Sequence, residues 1–166
     1  FLVDAETFDF FFLEMNARIQ VEHPVTEAIT GVDLIEQQLL IADGAGLSLT
    51  QAMVQPSGHA IEVRINAEDA DADFRPSPGT VTRAAWPAGP GIRVDTHMSN
   101  GGTVPPFYDS LIGKIIVSGT TREAAVAKLS AALAVTQIEG VSTTAPLHRR
   151  IATDPRFVAG GVDTRL

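Results

Sequence analysis

The chain has 166 residues, enough for one domain or for the end of one domain followed by a second small one. Its composition, 45% hydrophobic and 19% charged, is typical of a globular protein. A formal net charge of −8 argues against a nucleic-acid partner, because phosphate binding needs clustered Lys and Arg. We expect no membrane partner, since no apolar run is long enough to span a bilayer. The absence of cysteine excludes disulfides and thiol catalysis and is compatible with a reducing compartment.

The first part of the chain begins at Phe1 without an initiator Met, so we expect an N-terminal portion, including any targeting signal, to lie upstream. A strand is predicted at 8–16, with Phe10 and Phe12 buried. Apolar residues at helical spacing then predict a helix at 32–42. The pattern dissolves over residues 44–58, which we interpret as a connection with one helical turn and as the domain boundary.

The second part has the turn punctuation of antiparallel strands. Short β-rich runs predict strands at 60–66, 80–86, 92–97 and 111–118. Thr120 and Glu123 form a capping box that predicts the start of a helix with the apolar positions Val126, Leu129 and Leu133. A strand at 135–138 and a last helix at 145–151 follow. The whole chain is therefore predicted to have an α+β fold.

The most informative segment is FLEMNARIQVEHP, in which every second residue is polar: Glu14, Asn16, Arg18, Gln20 and Glu22. An extended chain sends alternate side chains to opposite faces. A solvated strand face usually draws on Thr, Ser and Lys, so a face with both signs of charge and two amides indicates a functional site. Alternation is also typical of any half-buried strand, and that structural interpretation stays open.

Geometry requires this segment to bend if all five polar residues serve one site. At about 3.3 Å per residue, Glu14 and Glu22 would lie roughly 26 Å apart in a straight strand. Pro24 indicates where the extended segment ends. We therefore place Glu14 and Asn16 on the strand and expect residues 18–22 to turn beyond its end.

The residue types in this segment predict their chemistry. The Glu14 carboxylate and the Asn16 amide offer hard oxygen ligands, which suit magnesium carrying a nucleotide phosphate. Arg18 presents a planar fork suited to a carboxylate, carbonate or phosphate. Glu22, next to such an anion, can act as a general base.

Other candidate motifs are weaker. Arg64 lies in the middle of the predicted strand HAIEVRINAED and is either a paired surface charge or a functional group. The acidic stretch DADAD resembles the start of a calcium loop but lacks its glycine and closing Glu, so a solvated loop is expected. None of the four histidines has metal-ligand spacing to another, and no complete glycine-rich phosphate loop is present.

Four runs, EMNARIQVEHPVTE, GHAIEVRINAED, FRPSPG and VPPFYDSLIGK, together resemble the C-terminal third of biotin carboxylase, the ATP-grasp component of biotin-dependent carboxylases. The resemblance spans essentially the whole chain in the expected order. It implies that residues 1–57 finish an ATP-grasp domain. Residues 58–166 would then form the biotin carboxylase C-terminal domain, a mainly antiparallel sheet with flanking helices.

The resemblance implies an activity and a set of site residues. Such enzymes use ATP with Mg²⁺ or Mn²⁺ to activate bicarbonate as carboxyphosphate, and then carboxylate biotin on a carrier protein. Glu14 corresponds to the metal and nucleotide ligand, with Asn16 in the same shell, and Glu22 to the base that deprotonates bicarbonate. Arg64 corresponds to the arginine that stabilises the enolate-like oxygen developing on biotin. The bicarbonate cradle corresponds to Arg18, Gln20 and the backbone of Val21. The resemblance thus makes Arg18, Glu22 and Arg64 the expected catalytic residues, and Arg64 also a substrate-binding residue.

The resemblance also implies partners: a biotin carboxyl carrier protein or domain and a carboxyltransferase subunit. It favours a cytoplasmic homodimer within an acetyl-CoA or other acyl-CoA carboxylase. Pro90 is the one departure, at a position that is often aromatic near the family's dimer contact. Because the family's remaining ATP-binding groups lie upstream, we expect this chain alone to be inactive. The alternatives are another ATP-grasp ligase, or a non-catalytic module that dimerises or docks a carrier.

Overall fold

A computed structural model describes residues 1–163. The N-terminal part contains two short strands and two helices: β1 Leu2–Val3, β2 Phe10–Phe11, α1 His23–Thr30 and α2 Leu34–Ala42. A 3₁₀ turn at Gln51–Met53 interrupts the connection that follows, as predicted. Within the described residues, no helix is both long and apolar enough to cross a membrane.

The remaining strands and helices form an α+β unit. In chain order they are β3 His59–Asn66, β4 Glu68–Asp69, β5 Arg75–Pro76, β6 Gly79–Thr80, β7 Arg83–Ala85, β8 Ile92–Thr96, β9 Thr103–Val104, β10 Leu111–Gly119, α3 Arg122–Val135, β11 Gln137–Glu139, α4 Ala145–Thr153 and α5 Pro155–Ala159. The α+β fold is thus confirmed. Helix α5 was not predicted.

An antiparallel sheet with the order β3-β10-β8 forms the centre of this unit. One face of the sheet packs against α3 and α4 and forms the hydrophobic core. The core includes Ile65, Ile115, Val117, Leu129 and Leu133, each at most 1% exposed. Helix α1 also contacts β3 and β10, so the segment that precedes α1 ends next to the central sheet.

The strand predicted at 8–16 is wrong in its extent and its burial. Only Phe10–Phe11 is a strand, paired with Leu2–Val3. Phe10 and Phe12 are 70% and 65% exposed, although burial was expected. The alternation predicts one apolar face, but among residues 1–163 the only strand that pairs with the segment is two residues long, and no core element of that range covers the face.

Three further features differ from the prediction: a missed helix, a divided strand and a shifted helix cap. Helix α1 was missed because Pro24 indicated an end, whereas proline is well tolerated in the first turn of a helix and is found there. The run at 80–86 divides into β6 and β7, which pair with different strands. The cap of α3 is Thr121, whose side chain accepts a hydrogen bond from the backbone N–H of Ala124, and not Thr120.

Candidate functional site

The chain turns sharply between Arg18 and Glu22, as the sequence predicted. The backbone N–H of Arg18 donates to the Asn16 carbonyl at 2.9 Å, and that of His23 donates to the Gln20 carbonyl at 3.2 Å. The His23 ring nitrogen Nδ1 lies 2.7 Å from the same carbonyl oxygen, which can only accept, so Nδ1 carries the proton. Helix α1 therefore begins directly after this turn and fixes its end.

The turn places Glu22 against the central sheet. Its Oε2 atom lies 3.0 Å from Nη2 of Arg64 on β3, a contact between residues 42 positions apart. The two side chains remain 56% and 51% exposed, so both can also reach a bound molecule. The structure thus brings together Glu22 and Arg64, two of the three residues assigned to catalysis, from separate motifs.

Lys114 on β10 contacts the same turn. Its ammonium donates to the backbone carbonyl of Val21 at 2.8 Å, and its Nζ atom lies 3.6 Å from Asp95 Oδ2 and 4.0 Å from Glu62 Oε2. The register of the sheet sets Lys114 directly opposite Arg64 on one side and Asp95 on the other. One row of charged residues thus crosses the sheet beneath the turn.

Glu62 is the most buried charged group near this row. Its side chain is 5% exposed, and no hydrogen bond within the described residues reaches its Oε2 atom. Burial raises the pKa of the Glu62 carboxyl, and the charges of Lys114 and Arg64 oppose part of that rise, while the charge of Glu22 adds to it. The carboxyl therefore depends on the nearby cations to remain ionised.

A second ion-pair network holds α1 against the sheet. Arg93 on β8 donates to Glu27 of α1 at 2.6 Å and to both carboxylate oxygens of Asp95 at 2.7 and 2.9 Å. Glu27 is 8% exposed and also accepts from the backbone N–H of Leu34. Burial raises the pKa of Asp95, but the hydrogen bonds and charge of Arg93 outweigh it, so that pKa lies below its usual value. Glu27 therefore fixes α1, and with it the end of the turn, through its contacts with Arg93 and with the backbone of Leu34.

The backbone of Arg64 is held from the other side. Strand β3 is an edge strand, and Thr144 at the start of α4 bonds to that edge. The Thr144 hydroxyl donates to the Arg64 carbonyl and accepts from the Asn66 N–H, each at 3.0 Å. His148 Nε2 lies 2.8 Å from the Arg64 carbonyl, and burial lowers the pKa of His148 although this hydrogen bond opposes the change. The guanidinium therefore extends from a rigid backbone position.

The predicted metal ligands lie apart from regular structure. Glu14 and Asn16 were placed on a strand, but the strand ends at Phe11 and both side chains are exposed. Within residues 1–163, neither side chain has a hydrogen bond or an ion pair. No group of three or more His, Cys, Asp and Glu in the described part could hold a metal by itself. The two oxygen donors are free to bind a cation but need further ligands.

The remaining cradle residues also lie on the turn. The Arg18 guanidinium is exposed and donates to the Ile19 carbonyl at 3.2 Å, and Gln20 is half-buried. Sequence reasoning missed Lys114 and Glu62, although a signal was present. A lysine within the apolar run LIGKIIV is unusual, because lysine is rarely buried without a partner.

Comparison with known proteins identifies the family of this chain. Residues 62–166 match the family model "Biotin carboxylase C-terminal domain", and residues 1–50 match "Carbamoyl-phosphate synthase L chain, ATP binding domain". Biotin carboxylase of Nostoc sp. is 52% identical over 164 residues, which is 99% of this chain and 36% of that protein. A pyruvate carboxylase subunit of Methanothermobacter thermautotrophicus is 49% identical over 94% of this chain and 32% of its own length.

A solved structure shows the same fold. The biotin carboxylase domain dimer of Hydrogenobacter thermophilus 2-oxoglutarate carboxylase, in complex with MgADP, ADP and bicarbonate, is similar with a TM-score of 0.93 and 48% identity. The similarity covers 96% of this chain and 35% of that one. The chain spans about a third of the length of the curated relatives that it matches. By the match over residues 62–166, the chain belongs to the biotin carboxylase C-terminal domain family.

Proposed function

We propose that this chain is the C-terminal portion of a biotin carboxylase, which uses MgATP and bicarbonate to carboxylate biotin on a carrier protein through carboxyphosphate. Residues 1–57 would finish its ATP-grasp domain, and residues 58–166 would form its C-terminal domain. The observation that carries the proposal is the 3.0 Å pair between Glu22 and Arg64. It joins a candidate base and a candidate oxyanion-stabilising cation at one exposed place, in a chain about 50% identical to biotin carboxylases.

Glu22 and Arg64 have complementary roles in this proposal. The Glu22 carboxylate accepts the proton of bicarbonate, and the bicarbonate oxygen then attacks the γ-phosphorus of ATP, giving carboxyphosphate and ADP. The carboxyl group then passes from carboxyphosphate to a ureido nitrogen of biotin, and the proton of that nitrogen passes to the departing phosphate. Arg64 faces the negative charge that develops on the biotin carbonyl oxygen. A fixed cation aimed at charge present in the transition state lowers the barrier without tightening substrate binding.

The turn supplies the groups that hold bicarbonate. Arg18 offers a planar fork to a carbonate oxygen, Gln20 an amide, and Val21 a backbone N–H. The Val21 carbonyl is occupied by Lys114, and the Gln20 carbonyl by His23, so the backbone orientation of both residues is set before substrate arrives. Preorganised donors of this kind add to catalysis because they need not reorient during the reaction.

Glu14 and Asn16 fit a magnesium or manganese ion in part. Both offer oxygen donors that have no protein partner within the described residues, and Mg²⁺ commonly takes only one or two protein ligands with waters and phosphate oxygens completing its shell. When bound, the ion neutralises charge on the ATP phosphates. Glu14 would therefore contact the metal–nucleotide complex, together with ligands from outside this chain.

The relatives support a set of partners. They include pyruvate and 2-oxoglutarate carboxylase components, one of them a biotin carboxylase domain dimer. We infer a cytoplasmic homodimer that works with a biotin carboxyl carrier protein or domain and a carboxyltransferase, within an acetyl-CoA or other acyl-CoA carboxylase.

The transfer of radiolabelled bicarbonate to free biotin by the complete protein tests this function. We expect transfer that requires MgATP and that is lost in Glu22→Gln and Arg64→Ala. An ATP-grasp ligase acting on another substrate would keep its activity in Arg64→Ala and would not label biotin. A non-catalytic module would bind a biotinylated carrier without consuming ATP. The isolated 166-residue chain is expected to be inactive, and labelling of biotin by this chain would contradict that expectation.

A further inference from the structure

We propose that Lys114 is a positioning residue for the carboxylation reaction, because it holds the bicarbonate-binding turn in place through the backbone carbonyl of Val21. The inference rests on the function proposed above for residues 18–22. Lys114 itself does not touch the substrate in this account. Its effect is transmitted through the peptide that joins Val21 to Glu22.

The contact connects two distant parts of the chain. The Lys114 ammonium donates to the Val21 carbonyl at 2.8 Å, across 93 positions of sequence. Strand β10 lies between β3 and β8, and Ile115 and Ile116 beside Lys114 are at most 2% exposed. Lys114 therefore projects from one of the most rigid places in the molecule, whereas the turn lies outside the sheet and needs an external contact to fix it.

Oxygen atoms surround the Lys114 ammonium. The side chain is only 11% exposed, and two carboxylates, Asp95 at 3.6 Å and Glu62 at 4.0 Å, lie near its Nζ atom. An ammonium has three N–H donors, and three oxygens from β3, β8 and the turn surround it. Asp95 is also bound by Arg93, so Glu62 is the carboxylate that depends most on Lys114.

The register of the sheet makes Lys114 and Arg64 a matched pair. They lie directly opposite each other on adjacent strands, and they contact consecutive residues of the turn. Lys114 contacts the backbone of Val21, while Arg64 contacts the side chain of Glu22. Loss of Lys114 would allow the peptide between Val21 and Glu22 to rotate. That rotation would move the Glu22 carboxylate directly, and Val21, without the contact at its carbonyl, would hold its own N–H less firmly, so both groups that act on bicarbonate would be misplaced.

The experiment is a comparison of kinetic constants for Lys114→Met and Lys128→Met in the complete protein. Methionine keeps most of the length of lysine but removes the donor and the charge. We expect Lys114→Met to raise the KM for bicarbonate about tenfold or more and to lower kcat, as loss of a charge-assisted hydrogen bond implies. The KM for MgATP should change by less than about twofold, because Lys114 contacts neither Glu14 nor Asn16, the residues proposed to bind the metal–nucleotide complex.

Lys128 is a matched control. It is also a part-buried lysine that donates to a backbone carbonyl, that of Ser118 at 2.6 Å, but it lies on α3 away from the turn. Lys128→Met should leave both KM values unchanged. If Lys114→Met left the bicarbonate KM unchanged, or if Lys114→Met and Lys128→Met both raised the two KM values to a similar extent, Lys114 would have a general structural role and the proposal would be wrong.

A second variant covers the case in which Lys114→Met fails to fold because Glu62 loses its counter-ion. The double variant Lys114→Met with Glu62→Gln removes both charges, and Glu62→Gln alone is its reference. The proposal requires the bicarbonate defect to persist in the double variant. Recovery of a normal bicarbonate KM would overturn it. The wild-type protein separates failure of the Lys114 proposal from failure of the proposed function. If the wild-type protein showed no bicarbonate-dependent turnover, the proposed function itself would be contradicted.

Discussion

The Glu22–Arg64 pair should matter much more for activity than for stability. The perturbations are Glu22→Gln, Arg64→Met and the double variant, each in the complete protein. Both side chains are more than half exposed. Ion pairs with that exposure typically contribute about 0–1 kcal/mol to folding, because water screens the charges and ordering two long side chains costs entropy. We therefore expect a stability coupling of at most about 1 kcal/mol.

The catalytic effect should be far larger. Removal of a general base typically lowers the rate about 10²–10⁴-fold, and removal of a cation that stabilises a developing oxyanion has a similar effect. The double variant should lose little more than the single variants, since residues that act as one unit are not additive. The assays are urea unfolding for stability and transfer of bicarbonate to biotin for activity.

The chain contains a matched control pair. Arg83 and Glu139 lie 3.8 Å apart on β7 and β11, with side chains 56% and 58% exposed, away from the turn. Arg83→Met and Glu139→Gln should change stability by a similar small amount and leave activity unchanged. The reasoning would be refuted if breaking the Glu22–Arg64 pair lowered the free energy of unfolding by more than about 2 kcal/mol and lowered activity only as far as the folded fraction fell. The pair would then be structural.

Three further predictions concern folding. Leu133→Ala should cost about 2–5 kcal/mol because Leu133 is fully buried, whereas Val135→Ala, at a position 60% exposed, should cost much less; urea unfolding compares the two. Thr121→Ala should cost about 1 kcal/mol through loss of the α3 cap, and an equal loss in Thr120→Ala would show that the cap is misassigned. The lowered pKa of His148 means that the unfolded chain binds more protons near pH 6, so stability should fall as pH drops below 6.5. His148→Gln, which keeps an N–H donor, should reduce that pH dependence, and an unchanged dependence would contradict the assignment.

The sequence predicted the longer C-terminal elements, β3, β8, β10, α3 and α4, because each is determined by local signals, whereas α5 and the short strands β4, β5 and β9 were missed. Short β-rich runs bounded by glycine and proline, and a helical apolar period, identify elements whose buried face lies in this chain. The run at 8–16 has the same alternation, but within the part of the chain that the structure describes only a two-residue strand pairs with it, and its apolar residues are exposed. The alternation of apolar and polar residues does not show whether another part of the same chain packs against the apolar face of a strand.

The candidate site was predicted in part for a similar reason. Residue type indicated Glu22, the resemblance to biotin carboxylase indicated Arg64, and the roles of both stay predictions. The turn was predicted from the length of an extended strand. Lys114 was missed because its contact with the Val21 carbonyl depends on the register of β10 against β3 and on the placement of α1. Those are long-range properties, and a lysine in an apolar run indicates only that some partner exists.

The most direct test of the central claim is phosphate release from MgATP by the complete protein, with bicarbonate and free biotin each present or omitted. The account predicts release that requires bicarbonate and increases when biotin is added, because Glu22 acts on bicarbonate and Arg64 on biotin. Release that is independent of bicarbonate and unaffected by biotin would contradict the account and would remove the roles proposed for both residues.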